Sequence, residues 1–157
     1  MRKDKSLNKK TIALLFFLIA APVIIYFLMP SDESRIRKLF REGTTAIEKE
    51  DLDAVMARVS FNYSDGNGLT YISIRELMKS IFQRMDHIKA EYEDLRINVG
   101  KDKTATADMD VRIVATIGTD TGYILGDISN PVHLKFTLET ERTKWLVMKT
   151  EGLQLVD

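Results

Sequence analysis

The longest apolar run of the chain lies near its N-terminus. Residues 11–29 read TIALLFFLIAAPVIIYFLM and carry no charged side chain. As a helix, this run would extend about 28 Å at about 1.5 Å per residue, close to the hydrocarbon thickness of a bilayer, about 30 Å. The pattern therefore predicts a transmembrane helix over 11–29, in which Pro22 is tolerated.

Two other interpretations of this run compete with an anchor. A cleavable signal peptide has a shorter apolar region and a small-x-small site, whereas Ala20 and Ala21 are followed by Pro22 and further apolar residues. A buried helix of a soluble domain is usually amphipathic, which this run is not. We therefore expect an uncleaved anchor.

The tail before the apolar run is basic. Residues 1–10 carry five lysines and arginines against Asp4 alone. Because positively charged flanks stay on the cytoplasmic side, we expect a cytoplasmic N-terminus and an exported domain over 31–157. In a bacterium this is a single-pass protein of the inner (cytoplasmic) membrane with a periplasmic, extracytoplasmic domain.

The exported part begins with helical periodicity. Apolar residues recur at helical spacing from Ile36 to Ile47, after cap and first-turn residues at 31–34. Asp51 is expected to cap a brief second helix, and a third is predicted from about Ser73 to Met85. Only a very short linker follows Met29, so we expect the domain to lie close to the membrane surface.

After residue 87 the period changes to alternation, which predicts strands. Four are expected, at 88–99, 104–116, 132–141 and 145–156. Short turns at 100–102 and 142–144 predict antiparallel hairpins, and a phase slip between Tyr92 and Leu95 predicts a β-bulge. The expected fold class is α+β, with three helices on the apolar face of a curved antiparallel sheet of about four strands.

Charge and composition narrow the function classes. The formal net charge is zero, so the basic tail leaves residues 31–157 at about −4. An acidic domain lacks the cations that neutralise phosphates, so we expect no nucleic-acid partner. The chain has no cysteine, which excludes disulfides and thiolate chemistry.

The order of elements resembles the NTF2-like superfamily, which includes SnoaL-like proteins and ketosteroid isomerase. The resemblance is carried by DLDAVM at 51–56, YSDGNG at 63–68, and four strands of which the last opens on Trp145. It covers nearly all of the exported part. It implies dimerisation through the sheet and an apolar pocket between sheet and helices. It implies no particular function, because the superfamily hosts many.

Candidate chemistry is sparse. The ligand-pocket candidates are Tyr63, Asp65, Tyr92, Met109 and Phe136. For the loop pair among them, Tyr63 and Asp65, we favour a turn in which Asp65 accepts from local backbone amides, over a site.

The remaining polar patterns favour no cofactor. The strand acids Asp108 and Asp110 fall on the face opposite Met109, which favours a solvated or subunit-contact surface. His87 and His133 lack a second ligand at metal spacing, so no metal and no cofactor is expected. A loop of about 15 residues with Gly118, Gly122 and Gly126 is long for a compact domain, which hints at a partner-binding segment.

These observations favour a non-enzymatic domain that binds a protein partner, or a second copy, at the membrane surface, with the bilayer contacted through 11–29. The alternative is a protein that binds a small apolar ligand, or an isomerase- or dehydratase-like enzyme. The alternative needs Tyr63 and Asp65 to point into a cavity.

Overall fold

The computed structural model describes residues 9–153, and the rest of the predicted tail, residues 1–8, lies outside them. Residues up to Ser31 and residues from Asp32 form two compact units. In the first, α1 runs over Lys9–Leu28 and continues through Pro22. Its large apolar side chains are exposed, among them Phe16, Phe17 and Leu18. Among the described residues, no helix is both long enough and apolar enough to cross a membrane.

Polar residues mark the starts of the first two helices of the second unit. α2 spans Asp32–Glu48, with two acids in its first turn, and buries Ile36, Leu39 and Phe40 on one face. α3 is the short Leu52–Met56, capped by Asp51, whose carboxylate accepts from the Ala54 amide at 2.9 Å. The predicted second helix is thereby confirmed.

The fourth helix is less buried than its pattern suggests. α4 spans Tyr71–Arg84 and begins before the predicted Ser73, because Thr70 caps it. It packs against α3, and none of its side chains is fully buried. Met78, on the apolar stripe of this helix, is only half-buried.

The sheet has five antiparallel strands rather than about four. They are β1 Asp86–Val99, β2 Thr104–Ile117, β3 Asp120–Leu125, β4 Val132–Glu141 and β5 Lys144–Glu151. The order is β1-β2-β4-β5, with β3 paired to the far end of β2. The predicted last strand ends at Glu151, and residues 154–157 lie outside the described part of the chain.

The long loop predicted after β2 is partly a strand. Gly118, at φ +64°, allows a two-residue turn that sends β3 back along β2. The prediction of one long irregular loop over this stretch was wrong. The remaining connection, 126–131, is short.

The predicted bulge in β1 is confirmed. The register of β1 on β2 shifts between Glu93 and Arg96, and Asp94 there has φ +54°. A bulge adds one residue to one strand and bends it. Because of this extra residue, the side chains of Tyr92 and Leu95 both pack against the core.

Packed side chains fill the space between α2 and the sheet. The rings of Phe40 on α2 and Phe136 on β4 lie 5.1 Å apart and tilted by 59°. Leu138 is fully buried beside them, and Trp145 closes one end. This core places α2 on the inner face and leaves the outer face of the sheet to polar residues.

Candidate functional site

The loop between α3 and α4 is held along the edge of β5. The backbone amide of Ser60 donates to the Val147 carbonyl at 2.8 Å, and the Val147 amide donates to the Arg58 carbonyl at 2.9 Å. The Ser64 amide then donates to Met148 at 3.1 Å. These bonds cover an otherwise open sheet edge and bring the loop side chains against β5.

Tyr63 and Asp65 form a buried pair in this loop, 3% and 9% exposed. The Tyr63 hydroxyl donates to Asp65 Oδ2 at 3.2 Å. Asp65 Oδ1 accepts from the amides of Asn67 and Leu69, both at 2.9 Å. The predicted turn, with Asp65 holding local amides, is confirmed. Both side chains face the interior, and Asp65 uses both carboxylate oxygens within the loop.

Burial raises the pKa of the Tyr63 phenol above its ordinary 10.0. A hydrogen bond from Thr150 opposes this shift, and the charge of Asp65 adds to it. The neutral phenol is therefore the form that the folded protein favours.

The raised pKa predicts a stability loss in alkali. Below pH 10 both folded and unfolded Tyr63 are protonated, so the full contribution is present. As the pH rises from there through the higher folded pKa, the unfolded phenol ionises first and stability falls. Urea unfolding measured from pH 8 upward is expected to show this fall in the free energy of unfolding above about pH 10. The Tyr63→Phe variant is expected to lack this part of the fall. Equal slopes in both proteins would contradict the assignment.

The other three candidates lie on the inner face of the sheet. Met109 is buried, and Tyr92 and Phe136 are half-buried against the same core. They are neighbours across the strands but separate from the Tyr63–Asp65 pair.

Two shallow clefts among the described residues lie elsewhere. One, of about 250 Å³, lies at the start of α2, and the other, of about 350 Å³, lies between α2 and α3. None of the five candidates lines either cleft. The structure therefore packs three candidates together in the core and pairs two in the loop, without gathering all five.

A cluster that the sequence did not reveal surrounds Ser60. This side chain is fully buried, and its hydroxyl lies within hydrogen-bond distance of Glu139 and Glu141, the latter at 3.0 Å. The Asn62 amide donates to the Ser60 oxygen at 3.0 Å. One hydroxyl carries one proton, so it donates to one carboxylate at a time. The alternation of β4 places Glu139 and Glu141 on one face. No pattern in the residues around Ser60 indicates that this side chain contacts them.

The outer face of the sheet carries charges of both signs, as predicted. His133 Nδ1 lies 2.8 Å from Asp110 Oδ1, and its Nε2 lies 3.6 Å from Asp108 Oδ1. Beside them, Arg112 contacts Glu91 at 2.8 Å and Glu93 at 3.6 Å. Among the described residues, no group of three or more metal-ligating side chains could hold a metal ion.

Comparison with known proteins identifies the fold. No family model and no curated protein matches the sequence. A candidate aromatic ring hydroxylase from Novosphingobium aromaticivorans superposes with a TM-score of 0.64 at 18% identity, over 82% of this chain and 95% of that one. An NTF2-like protein with a cystatin-like fold from the same organism gives 0.59 at 14% identity, over 92% and 88%. The domain has the NTF2-like fold.

A third similar structure differs in its described role. A candidate calcium/calmodulin-dependent protein kinase II association domain from Xanthomonas campestris superposes with a TM-score of 0.64 at 12% identity, over 81% of this chain and 91% of that one. At these identities the likeness shows the fold alone. The resemblance inferred from residues 51–68 and Trp145 is confirmed at the level of the fold.

Proposed function

We propose that this protein is a membrane-anchored NTF2-like domain that binds a protein partner, or a second copy of itself, on the exported side of the membrane. The observation that carries the proposal is the filled core, in which α2 and the sheet pack directly through Phe40, Phe136 and Leu138. Because the space between α2 and the sheet is filled in this way, we expect recognition through the surface.

The anchor rests on the apolar run. α1 contains no acidic side chain, and the 19 residues of 11–29 are uncharged. The side chains of α1 that the structure describes, 13–25 and Leu28, are fewer than a full span needs, and the sequence continues the apolar run on both sides of 13–25. Exposed apolar side chains lie between Leu14 and Ile25, and their transfer from water to lipid is favourable. The basic tail supports an orientation with the N-terminus in the cytoplasm.

The outer face of the sheet is the surface we assign to the partner. It places acids and cations in alternation, with Asp110 beside His133 and Glu91 beside Arg112. A face that carries both signs fits a second copy related by a two-fold axis wherever an acid of one copy falls opposite a cation of the other. The similar kinase association domain is described as an association module, which is consistent with assembly through this fold.

A photocrosslinking experiment on native membranes tests this proposal. A photoreactive residue replaces Lys135, exposed on the outer face of β4, and a matched control replaces Lys79, exposed on α4. We expect a crosslinked protein or dimer from position 135 and much less from position 79. Recovery of an uncrosslinked monomer from both positions would contradict partner binding through this face.

One observation favours the second candidate function, a pocket for a small apolar ligand or an isomerase- or dehydratase-like enzyme. Tyr63 and Asp65 form a buried phenol–carboxylate pair, in which the phenol proton is shared in a hydrogen bond to Asp65 Oδ2. A positioned pair of this kind is able to donate or accept a proton. The apolar stripe of α4 is only half-buried. An apolar compound that raises the melting temperature of the wild type, but not of Tyr63→Phe, would favour this candidate over the first.

A further inference from the structure

Two neighbouring turns at one end of the sheet carry a cluster of cations. The β1–β2 turn contributes Lys101 and Lys103, and the β4–β5 turn contributes Arg142, followed by Lys144, all exposed. The two turns touch, because the Thr140 amide donates to the Lys103 carbonyl at 3.0 Å. We call these four cations the basic end.

The start of α2 lies at this same end. Trp145, at the beginning of β5, donates from Nε1 to Asp32 Oδ1 at 3.0 Å. Asp32 and Trp145 line the 250 Å³ cleft together with Lys101 and Lys103. The first residue of the domain is thus held at the basic end.

The basic end is rich in cations, whereas the domain as a whole has a negative net charge. The four cations of the basic end, of which Lys144 is the first residue of β5, lie beside the acids Asp102 and Glu141, and none of the four has an ion-pair partner within the described residues. Residues 31–157 as a whole are acidic, at about −4. At the opposite end of β2, the segment 118–131 contains Asp120 and Asp127 and no lysine or arginine. The β2–β3 turn, β3 and the connection after it therefore contain acids and no lysine or arginine, whereas the β1–β2 turn and the start of β5 carry lysines.

We propose that the basic end docks against the anionic lipid headgroups of the bilayer that holds α1. This inference rests on the proposed anchoring. Only residues 29–31 separate α1 from Asp32, and three residues extend at most about 10 Å. We therefore expect the basic end to come within reach of the headgroups, where charges attract over a Debye length of about 8 Å.

The sign of the charges sets the orientation. An anionic surface repels the acidic remainder of the domain and attracts the basic end, so the domain stands with its β2–β3 hairpin away from the membrane. Each lysine or arginine near an anionic surface strengthens association about fivefold. The outer face of the sheet then runs roughly upright and stays open to a partner.

The test uses Trp145, the single tryptophan of the chain, as a built-in probe at the basic end. The full chain is assembled in nanodiscs of phosphatidylcholine, with or without phosphatidylglycerol, and a headgroup spin-labelled lipid quenches fluorescence. We expect quenching to be at least about twofold stronger with phosphatidylglycerol and to fall in high salt. This comparison needs no variant.

A quadruple variant assigns the effect to the four cations. Lys101→Gln and Lys144→Gln are combined with Lys103→Asn and Arg142→Asn, because the last two positions have positive φ, which Asn tolerates. We expect this variant to lose the difference between lipids. A matched control removes four exposed cations on or beside the helices and is expected to keep the difference; its changes are Lys38→Gln, Lys49→Gln, Lys79→Gln and Arg84→Gln.

The outcomes separate the two proposals. Equal quenching in both lipids, with the protein held in the discs, overturns docking by the basic end and leaves the anchor intact. A protein that elutes apart from the discs overturns the anchor, and this inference with it. Loss of the lipid difference in the control variant as well as the quadruple variant also overturns the assignment to the basic end.

Discussion

Two arginines in the middle of α1 are expected to release the protein from membranes. The change is Leu18→Arg with Ile19→Arg, at positions whose apolar side chains are 72% and 60% exposed. An arginine near the centre of a membrane helix costs about 3 kcal/mol on insertion, so the pair is expected to shift the partition by several orders of magnitude. Alkaline extraction and flotation of membranes from expressing cells measure the retained fraction.

The matched control for this experiment is Leu18→Ile with Ile19→Leu. It keeps the apolar character of the segment and is expected to float with the membranes as the wild type does. If the double-arginine variant also remains in the membrane fraction after alkaline extraction, α1 is not the anchor. If the wild type itself is extracted, the anchoring proposal is wrong as a whole.

Removing Leu138 from the core is expected to produce the largest loss of folding stability. Leu138 is fully buried on β4, within the cluster that joins α2 to the sheet. Leu138→Ala removes three buried carbon atoms, Cγ and the two Cδ methyl groups, and leaves a cavity, which costs about 3 kcal/mol. Urea unfolding of the full chain in mild detergent, followed by Trp145 fluorescence, measures the change in the free energy of unfolding.

An exposed apolar residue provides the comparison for Leu138. Ile72 on α4 is 72% exposed, so Ile72→Ala is expected to change the free energy of unfolding by less than about 0.5 kcal/mol. Two variants with equal midpoints would mean that the α2–sheet core does not support the fold as described. They would also weaken the proposal that a filled interior leaves recognition to the surface.

Local pattern predicted much of the fold because its signals act over a few residues. The alternation of β2 placed Met109 inward and Asp108 and Asp110 outward, as the structure has them. The phase slip of β1 identified a bulge, since one extra residue is visible in the sequence itself. Asp51 marked the start of α3, because a cap bonds an amide three residues away.

The missed elements depend on distant partners. β3 contains Gly122 and lacks a clear alternation, and it becomes a strand because β2 extends far enough to pair with it. α4 has a clear apolar stripe, yet how deeply it is buried depends on the elements that cover it. Its pattern could not distinguish full from partial burial.

In the candidate site, too, contacts between near neighbours could be predicted from the sequence, and contacts between distant residues could not. The turn around Asp65 follows from residues within four positions, so it could be predicted. The burial of Tyr63 could not, since it depends on β5 lying beside the loop. The contact of Ser60 with Glu139 joins residues 79 positions apart, for which the sequence carries no local signal.

By itself, the sequence determined the uncharged run of 11–29, the α+β order and the likeness to the NTF2-like fold. The run and the order of elements follow from composition, periodicity and short-range capping, which are properties of neighbouring residues, and the likeness is a resemblance carried by the motifs at 51–68 and Trp145. The tertiary structure alone decided the fifth strand, the filled core and the gathering of four cations beside Asp32. The physical reason is that strand pairing and side-chain packing join residues far apart in the chain, and their energies depend on the complete fold.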